Sequence, residues 1–286
     1  MKKRLSLLLV IALMLSLFTT TVFASKQNMA VDGKNKTMET EAKNGRTYIA
    51  SSSLKDFGLQ VNQSSNNVTL KNKEVTIQFT LNTNKVKVNN TTFTLDSKSF
   101  KKGTEAYLPF RFIFETLNYK VGWNNTTNKI TLTKEKTPTY PVVFNNEGVN
   151  YKITKEPSTI VSLAPDVTET LFAIGAGSKI KGRTKYCDYP QEVSKIKEVG
   201  TLYEPSIETV IDIYPELVLA ATHYKEDVLN KFKEAKINIF AKDSPKTLEQ
   251  MYEFTLVLGN IVIRNYEARA LVSSLRSKVQ SVEMWT

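Results

Sequence analysis

The stretch that decides the fold is residues 160–177, which read IVSLAPDVTETLFAIGAG. The apolar, β-branched run from Thr159 to Leu163 is typical of a short strand that is buried on both faces. The segment from Asp166 to Ile174 has helical spacing, with Asp166 as the expected N-terminal cap and Gly175 as the expected end. A buried strand that leads directly into a helix indicates an α/β unit.

The same alternation of strand and helix continues towards the C-terminus. Short apolar runs separated by segments of helical spacing predict a parallel sheet with helices on both faces, a three-layer α/β lobe. A polar turn between two alternating segments predicts a hairpin ahead of this lobe. The predicted strands are 142–144, 149–153, 159–163, 180–183, 216–220 and 237–240, and the predicted helices are 166–174, 206–214, 226–235, one opened by Ser244 and Pro245, and a long one over 261–280.

Residues 29–134 follow a different pattern. The segment is rich in Asn, Thr, Val and Lys, and apolar side chains alternate in short runs such as Val75 to Phe79, which is the period of half-buried strands. It repeats loosely at an offset of about 60 residues, and each copy reads as strand, short helix, strand, turn and strand. We therefore expect an α+β domain here, joined by a stiff linker over residues 135–141 to the α/β lobe of residues 142–286.

The N-terminus has the pattern of an export signal. A basic start at residues 2–4 precedes an apolar run to Leu17, and Val22-Phe23-Ala24 ends the segment with a typical signal-peptidase site. A retained membrane anchor is the alternative, but the run is short for a bilayer span. We expect residues 1–24 to be a cleaved signal peptide and the mature protein to be secreted. No lipobox cysteine lies near the cleavage point, so we expect no lipid modification.

Composition excludes several classes of function. The chain has one cysteine, Cys187, and one histidine, His223, so neither an internal disulfide nor a site of several soft ligands is possible. The formal net charge is +11, but lysines are spread along the chain with acidic residues between them. That distribution favours a solvated basic surface near anionic cell wall or membrane over a nucleic-acid site. No phosphate-binding loop is present, and we do not expect an enzyme.

The first domain carries a family resemblance. LPFRFI at residues 108–113, VGWN at 121–124 and ITL at 130–132 are similar to the N-terminal domain of copper amine oxidases, over most of residues 30–134. The resemblance implies an accessory stalk domain, which in secreted proteins can lie near the cell wall. It implies no copper chemistry, because that needs a histidine-ligated copper in a separate catalytic domain. One helical stripe in this domain is expected to be core: Phe110, Ile113, Phe114 and Leu117.

The lobe carries a second resemblance, in several motifs that follow one another in order. It resembles the helical-backbone solute-binding proteins of ABC importers over about residues 142–280, which implies a fold of the periplasmic-binding-protein type. The implied ligand is a small-molecule metal chelate, namely cobalamin, haem or a ferric siderophore, and the implied partner is an ABC permease with its ATPase. No cofactor is expected beyond a metal that the ligand itself carries. The motifs are IVSLAP (160–165), ETLFAIGAG (169–177), YCDYP (186–190), PSIE (205–208) and PELVLA (215–220).

The candidate binding residues lie in the loops after the strands, because ligands of such sheets sit beyond the carboxyl ends of the strands. These loops are rich in aromatic side chains, which bind large, partly apolar ligands. The alternative is that one or two of the tyrosines cover the core. The resemblance places residues 162–165, Tyr186 and the Leu202-Tyr203 loop at the ligand. The candidate ligand-binding residues are Ser162, Ala164, Pro165, Tyr186, Asp188, Leu202, Tyr203 and His223.

Glu208 is the candidate for docking to the permease. The resemblance places it where the first lobe of the family carries a carboxylate that contacts permease arginines; the alternative is an ordinary exposed glutamate in the first turn of a helix. The family continues for another lobe, and the helix over 261–280 resembles the rod that joins the two lobes. We therefore expect a truncated importer component that lacks its C-terminal lobe. The alternative function is a cell-surface or cell-wall interaction protein in which the lobe is vestigial.

Overall fold

The computed structural model describes residues 25–146, 149–220, 224 and 226–283. The predicted signal peptide and the candidate ligand residue His223 lie outside these ranges. Within them the chain forms a β-rich first domain and an α/β second domain. Among the helices of these ranges, none combines the length and the apolarity that a bilayer crossing requires.

The first domain is built from two sheets of mostly antiparallel strands. Its elements are β1 (Ser25–Val31), β2 (Lys34–Lys43), β3 (Arg46–Ala50), a 3-10 turn (Ser51–Phe57), β4 (Gln60–Gln63), β5 (Asn67–Lys71), β6 (Thr76–Thr80), β7 (Lys85–Val88), β8 (Thr91–Thr94), β9 (Phe100–Lys102), β10 (Glu105–Pro109), α1 (Phe110–Thr116), β11 (Tyr119–Asn124) and β12 (Lys129–Lys134). One sheet has the order β11-β12-β1-β2-β3-β10-β9 and the other β4-β5-β6-β7-β8. β1 begins ahead of the predicted boundary at Met29, because it pairs with β2 along its whole length.

The internal repeat of the sequence is visible in this domain. β3, the 3-10 turn, β4 and β5 form one copy, and β10, α1, β11 and β12 form the other. The copies meet where β3 pairs with β10. The predicted apolar stripe of α1 is core, as expected, since its four residues are each at most 4% exposed.

The second domain begins with a hairpin and continues as a parallel sheet. Its elements are β13 (Val142–Asn146), β14 (Val149–Ile153), β15 (Ile160–Ser162), α2 (Pro165–Ala173), β16 (Ile180–Arg183), β17 (Lys197–Glu198), α3 (Ile207–Ile213), β18 (Leu217–Ala220), α4 (Glu226–Glu234), β19 (Ile239–Ala241), α5 (Leu248–Ile261) and α6 (Asn265–Glu283). The sheet has the order β17-β16-β15-β18-β19, and every pairing is parallel.

Both faces of this sheet are buried. Ile160 and Leu219 face a cluster that includes α2 and α5, whereas Val161 and Val218 face a cluster that includes α3 and α4. Neighbouring side chains of one strand thus enter opposite layers, which is why these strands read as continuous apolar runs. The three-layer lobe agrees with the prediction.

The start of α2 differs from the prediction. Asp166 is not its cap: the cap position is Ala164, in extended conformation, and Pro165 occupies the first turn. Proline favours this position because its fixed φ suits a helix start and no backbone N–H is lost from the helix. The Asp166 carboxylate instead accepts a hydrogen bond from Val167 N at 2.9 Å.

The start of α5 differs as well. It begins after Thr247, whose Oγ1 accepts a hydrogen bond from Gln250 N at 3.2 Å, rather than at Ser244. This threonine caps the first turn by satisfying one of its free backbone donors. Residues 244–247 are therefore loop.

The helix predicted over 261–280 is present, but it begins later than expected, at Asn265. α5 and α6 are separate helices, and Ile263 between them has a positive φ of 48°. The chain reverses there, so that α6 runs back along α5. A Cβ added at Gly259 on α5 would lie 2.4 Å from the Cβ of Ala268 on α6, so this close approach requires glycine.

The other side of α6 faces the first domain. Ser274 donates to Thr94 O at 3.0 Å, Asn89 donates to Glu267 at 3.0 Å, and Ala270 belongs to the core of the first domain. α6 thus packs against both domains. Its predicted role as a rod between two lobes stays a prediction.

Candidate ligand-binding site

The carboxyl ends of the parallel strands meet at one edge of the second sheet. β15 lies between β16 and β18, and all three run in the same direction. The loops that follow Ser162, Arg183 and Ala220 therefore leave from neighbouring positions, as the predicted site requires. Ligands of parallel sheets bind at this edge.

An open cavity of about 590 Å³ lies at this edge. It is enclosed by the loop after β15, the loop around Leu202 and the start of α5. Three predicted ligand residues line it, namely Ala164, Pro165 and Leu202. The other lining residues are Asp166, Thr170, Ser244, Pro245, Lys246, Thr247, Leu248, Met251 and Phe254.

Sequence reasoning missed the part of the cavity that residues 244–251 contribute, because it placed Ser244 at a helix start. These residues follow β19, another strand of the parallel sheet, so the rule that located the other loops applies to this one too. A signal was present: Thr247 followed by Gln250 has the spacing of a capping box and marks the true start of α5.

Ser162 lies beneath the surface of the site. It is fully buried, donates to Ala164 O at 3.1 Å and accepts a hydrogen bond from Thr168 at 2.8 Å. Cys187 Sγ lies 3.2 Å from the hydroxyls of both Thr168 and Thr184. This buried network joins the loops after β15 and β16, so Ser162 positions the loops and does not face the cavity.

The turn that carries Leu202 is held from three sides. Thr201 N donates to Glu204 O at 3.1 Å, which closes the turn, and Tyr224 donates to Leu202 O at 2.6 Å. Gly200 has a φ of 95°, and a Cβ there would lie 2.6 Å from Glu204 O. Burial raises the pKa of Tyr224 well above its ordinary value, so its hydroxyl remains a donor at physiological pH.

The predicted aromatic residues are exposed, but they do not line this cavity. Tyr186, Tyr189 and Tyr203 are 55%, 66% and 76% exposed. Asp188 is exposed as well, and the amine of Lys185 lies 5.0 Å from the Tyr186 ring centre. The cavity is lined mainly by aliphatic side chains and Phe254 rather than by tyrosines. The expectation that the aromatic side chains of these loops line the site is therefore not met by the described residues at this cavity.

The cavity combines an apolar surface with a few polar groups. Leu202, Leu248 and Met251 supply apolar surface, and Leu248 is 45% exposed. Asp166 Oδ2 is buried and has no hydrogen-bond partner among the described residues, so it can accept a further hydrogen bond. Lys246 adds an exposed ammonium group. In the part of the chain that the structure describes, no cluster of side chains could hold a metal ion by itself.

Glu208 lies on the outside of this domain. It is exposed in the first turn of α3, whose cap Ser206 accepts a hydrogen bond from Thr209 N. Ile211, one turn further along the same helix, is 40% exposed. Residues three apart share a helix face, so the carboxylate stands beside an exposed apolar side chain.

Two family models match the chain. The copper amine oxidase N-terminal domain matches residues 30–132, and the periplasmic binding protein family matches residues 160–284. An ABC transporter substrate-binding lipoprotein of Bacillus subtilis, YvrC, is 31% identical over 166 residues, which are 56% of this chain and 52% of that protein. A vitamin B12-binding protein of Photorhabdus laumondii is 27% identical over 128 residues, 44% of this chain and 46% of that protein.

A solved structure shows the same extent of overlap. The iron uptake ABC transporter substrate-binding protein PiuA of Streptococcus pneumoniae has a TM-score of 0.44 and 20% identity, over 51% of this chain and 53% of that one. The chain spans about half the length of the curated relatives it matches. These relatives are binding proteins rather than enzymes. The chain thus joins a segment that matches the copper amine oxidase N-terminal domain to a segment that matches the periplasmic binding protein family.

Proposed function

We propose that this chain is the extracytoplasmic substrate-binding component of an ABC importer and that it binds cobalamin, haem or a ferric siderophore. The observation that carries the proposal is the cavity of about 590 Å³ at the carboxyl ends of the parallel strands. Its apolar walls with a carboxylate, hydroxyls and an ammonium group suit a large ligand that has an apolar face and a polar rim.

The relatives support this ligand class. One is a vitamin B12-binding protein and another is a substrate-binding protein of an ABC transporter. The cavity is open and covers one side of a ligand. Because affinity depends on how much of a ligand is buried, we expect weaker binding than in a cleft that closes from two sides.

Export and docking complete the proposal. The N-terminal pattern supports secretion and a location at the cell surface, with the first domain as a stalk near the wall. The exposed Glu208 supports docking to permease arginines, because its position in the first turn leaves the carboxylate accessible.

Titration of residues 25–286 with cyanocobalamin, haemin and a ferric siderophore tests the ligand. We expect one of them to bind with a saturable heat signal in calorimetry. Leu202→Ser and Leu248→Ser should each weaken it about tenfold, because each removes apolar contact surface. Tyr214→Ala, which removes an 81% exposed aromatic side chain elsewhere, is the matched control. Absence of binding by all three ligands, or wild-type affinity in both serine variants, would contradict the proposal.

Charge reversal tests the docking. Glu208→Lys should abolish co-purification with the permease while ligand binding stays intact, because opposite charges would become like charges. Glu169→Lys reverses another exposed glutamate, on α2, and should have little effect. If both variants co-purify as the wild type does, Glu208 does not dock the permease.

A further inference from the structure

A second cavity lies between the two domains. Its volume is about 240 Å³, and it shares no lining residue with the cavity at the strand edge. Strands and the helix α1 of the first domain form one wall, and α6 forms the other. Ligand pockets occur preferentially at such domain junctions. The lining residues that bear on its chemistry are Gln27, Arg46, Asp96, Trp123, Ser273 and Gln280.

The charged groups of this cavity are paired. Arg46 Nη2 lies 2.6 Å from Asp96 Oδ2, and both side chains are largely buried. Arg111, which also lines the cavity, lies 3.2 Å from Glu115. The cavity therefore offers no unpaired guanidinium to a phosphate or a carboxylate, and its chemistry favours a neutral ligand.

Several polar groups of the wall lack a partner among the described residues. Ser273 is 2% exposed, and its hydroxyl makes no hydrogen bond there. Gln27 and Gln280 accept hydrogen bonds through their carbonyl oxygens, from Thr40 and Arg46, while their amide N–H groups donate to no described residue. The Ser273 hydroxyl and the amide N–H groups of Gln27 and Gln280 are therefore available to a ligand in the cavity.

Trp123 supplies a flat apolar surface beside these groups. It lines the cavity from β11 and is 53% exposed, which is high for a tryptophan. An indole face stacks on the C–H face of a sugar ring, while amide and hydroxyl groups bind the hydroxyls at the edge of the ring. Neutral charge, hydrogen-bonding groups and an exposed indole together describe a site for a polyhydroxylated ring.

We propose that this cavity binds one ring of a neutral saccharide, with Trp123 against its face and Ser273, Gln27 and Gln280 on its hydroxyls. Ser273 belongs to α6 and Trp123 to the first domain, so the ligand contacts both domains and stabilises their docking. This site is separate from the strand-edge cavity and does not depend on the importer function.

Fluorescence of the single indole tests the site directly. The chain has two tryptophans, so residues 25–286 with Trp285→Phe leave Trp123 as the only one. The probes are tri-N-acetylchitotriose, a β-linked sugar of the kind in cell-wall glycans, and maltotriose, an α-linked nutrient sugar. We expect a saturable change in emission and a higher unfolding temperature with at least one of them. A response to the first alone indicates a wall glycan, and a response to the second alone a nutrient; no response to either overturns the proposal.

Variants separate stacking from loss of folding, with calorimetry as the readout. Trp123→Ala and Ser273→Ala should each weaken binding up to about tenfold, whereas Trp123→Phe keeps an aromatic face and should retain most of the affinity. Tyr214→Ala should bind as the wild type does. Equal affinity in all four variants would overturn the proposal. Titration with cyanocobalamin should be unchanged in each variant, which keeps this test independent of the importer proposal.

Discussion

The interface between α6 and the first domain is built in the opposite way to the edge of the sheet where β15 and β18 end. At the interface, Arg46 and Asp96 are buried, and Ser277 and Ser281 donate to Asp96 at 2.7 and 2.9 Å. At the edge, Leu248 is 45% exposed and Asp166 Oδ2 has no partner among the described residues. The interface is stabilised by its own hydrogen bonds and ion pair. The sheet edge still has an apolar side chain and a hydrogen-bond acceptor that a ligand can contact. In this comparison, the paired buried groups stabilise the fold, whereas the exposed or unpaired groups are available for ligand binding.

Breaking the interface should have the largest effect on stability. Arg46→Met should lower the free energy of unfolding by about 3 kcal/mol, because Asp96 would remain buried without its cation. Urea denaturation of residues 25–286 measures this loss.

The matched control for this variant is Arg111→Met. Its pair with Glu115 leaves Arg111 51% exposed, so the loss should stay below about 1 kcal/mol. If both variants lose the same amount, burial does not distinguish the two ion pairs and the comparison fails.

Gly200→Ala tests whether the turn around Leu202, which lies at the sheet edge, is rigid. A Cβ at this position, with φ at 95°, would lie 2.6 Å from Glu204 O, so we expect a loss of about 2 kcal/mol in unfolding free energy. Gly103→Ala is the control, because Gly103 has a φ of 62° but nothing within 4 Å of the added Cβ. A loss at Gly200 no larger than at Gly103 would show that the turn around Leu202 can relax.

Tyr224→Phe should have a smaller effect. It removes the hydrogen bond to Leu202 O and should lower the unfolding free energy by about 1 kcal/mol. Because Leu202 lines the cavity, ligand affinity should fall as well. Tyr203→Phe removes the hydroxyl of a 76% exposed side chain and should change neither quantity. Unchanged affinity in Tyr224→Phe would mean that this hydrogen bond does not position the turn.

Acid should weaken the interface by the smallest amount. Burial alone would raise the pKa of Asp96, but hydrogen bonds from Ser277, Ser281 and Arg46 lower it below its ordinary value. A carboxyl with a depressed folded-state pKa stabilises the fold above its unfolded pKa of about 4, and that contribution is lost as pH falls through the folded pKa. Unfolding temperature measured from pH 6 downward should therefore show a decline that Asp96→Asn lacks. An identical decline in the variant would assign it to other carboxylates.

Much of the fold could be predicted from local patterns. The apolar run at residues 160–162 and the helix after it are present as expected, because a strand buried on both faces leaves a continuous apolar signature. The break at Ile263 could not be predicted, since nothing about isoleucine favours a positive φ. Packing of α6 against α5, through Gly259 and Ala268, imposes that turn.

Only part of the candidate site could be predicted from the sequence. Ala164, Pro165 and Leu202 line the cavity because the loops after parallel strands converge at one edge. Ser162 was expected at the ligand but is buried, since periodicity does not show which loop residues face inward. The docking of α6 on the first domain has no local signature, because Asp96 and Ser277 are far apart in sequence.

The lone thiol at Cys187 has a practical consequence. It is 2% exposed and lies against two threonine hydroxyls, so an alkylating reagent cannot reach it while the structure is closed. In an oxidising compartment this shielding also protects the chain from covalent dimers and sulfenic acid. The rate at which maleimide labels the native protein thus reports how often the buried network around Cys187, beneath the loops at the strand edge, opens.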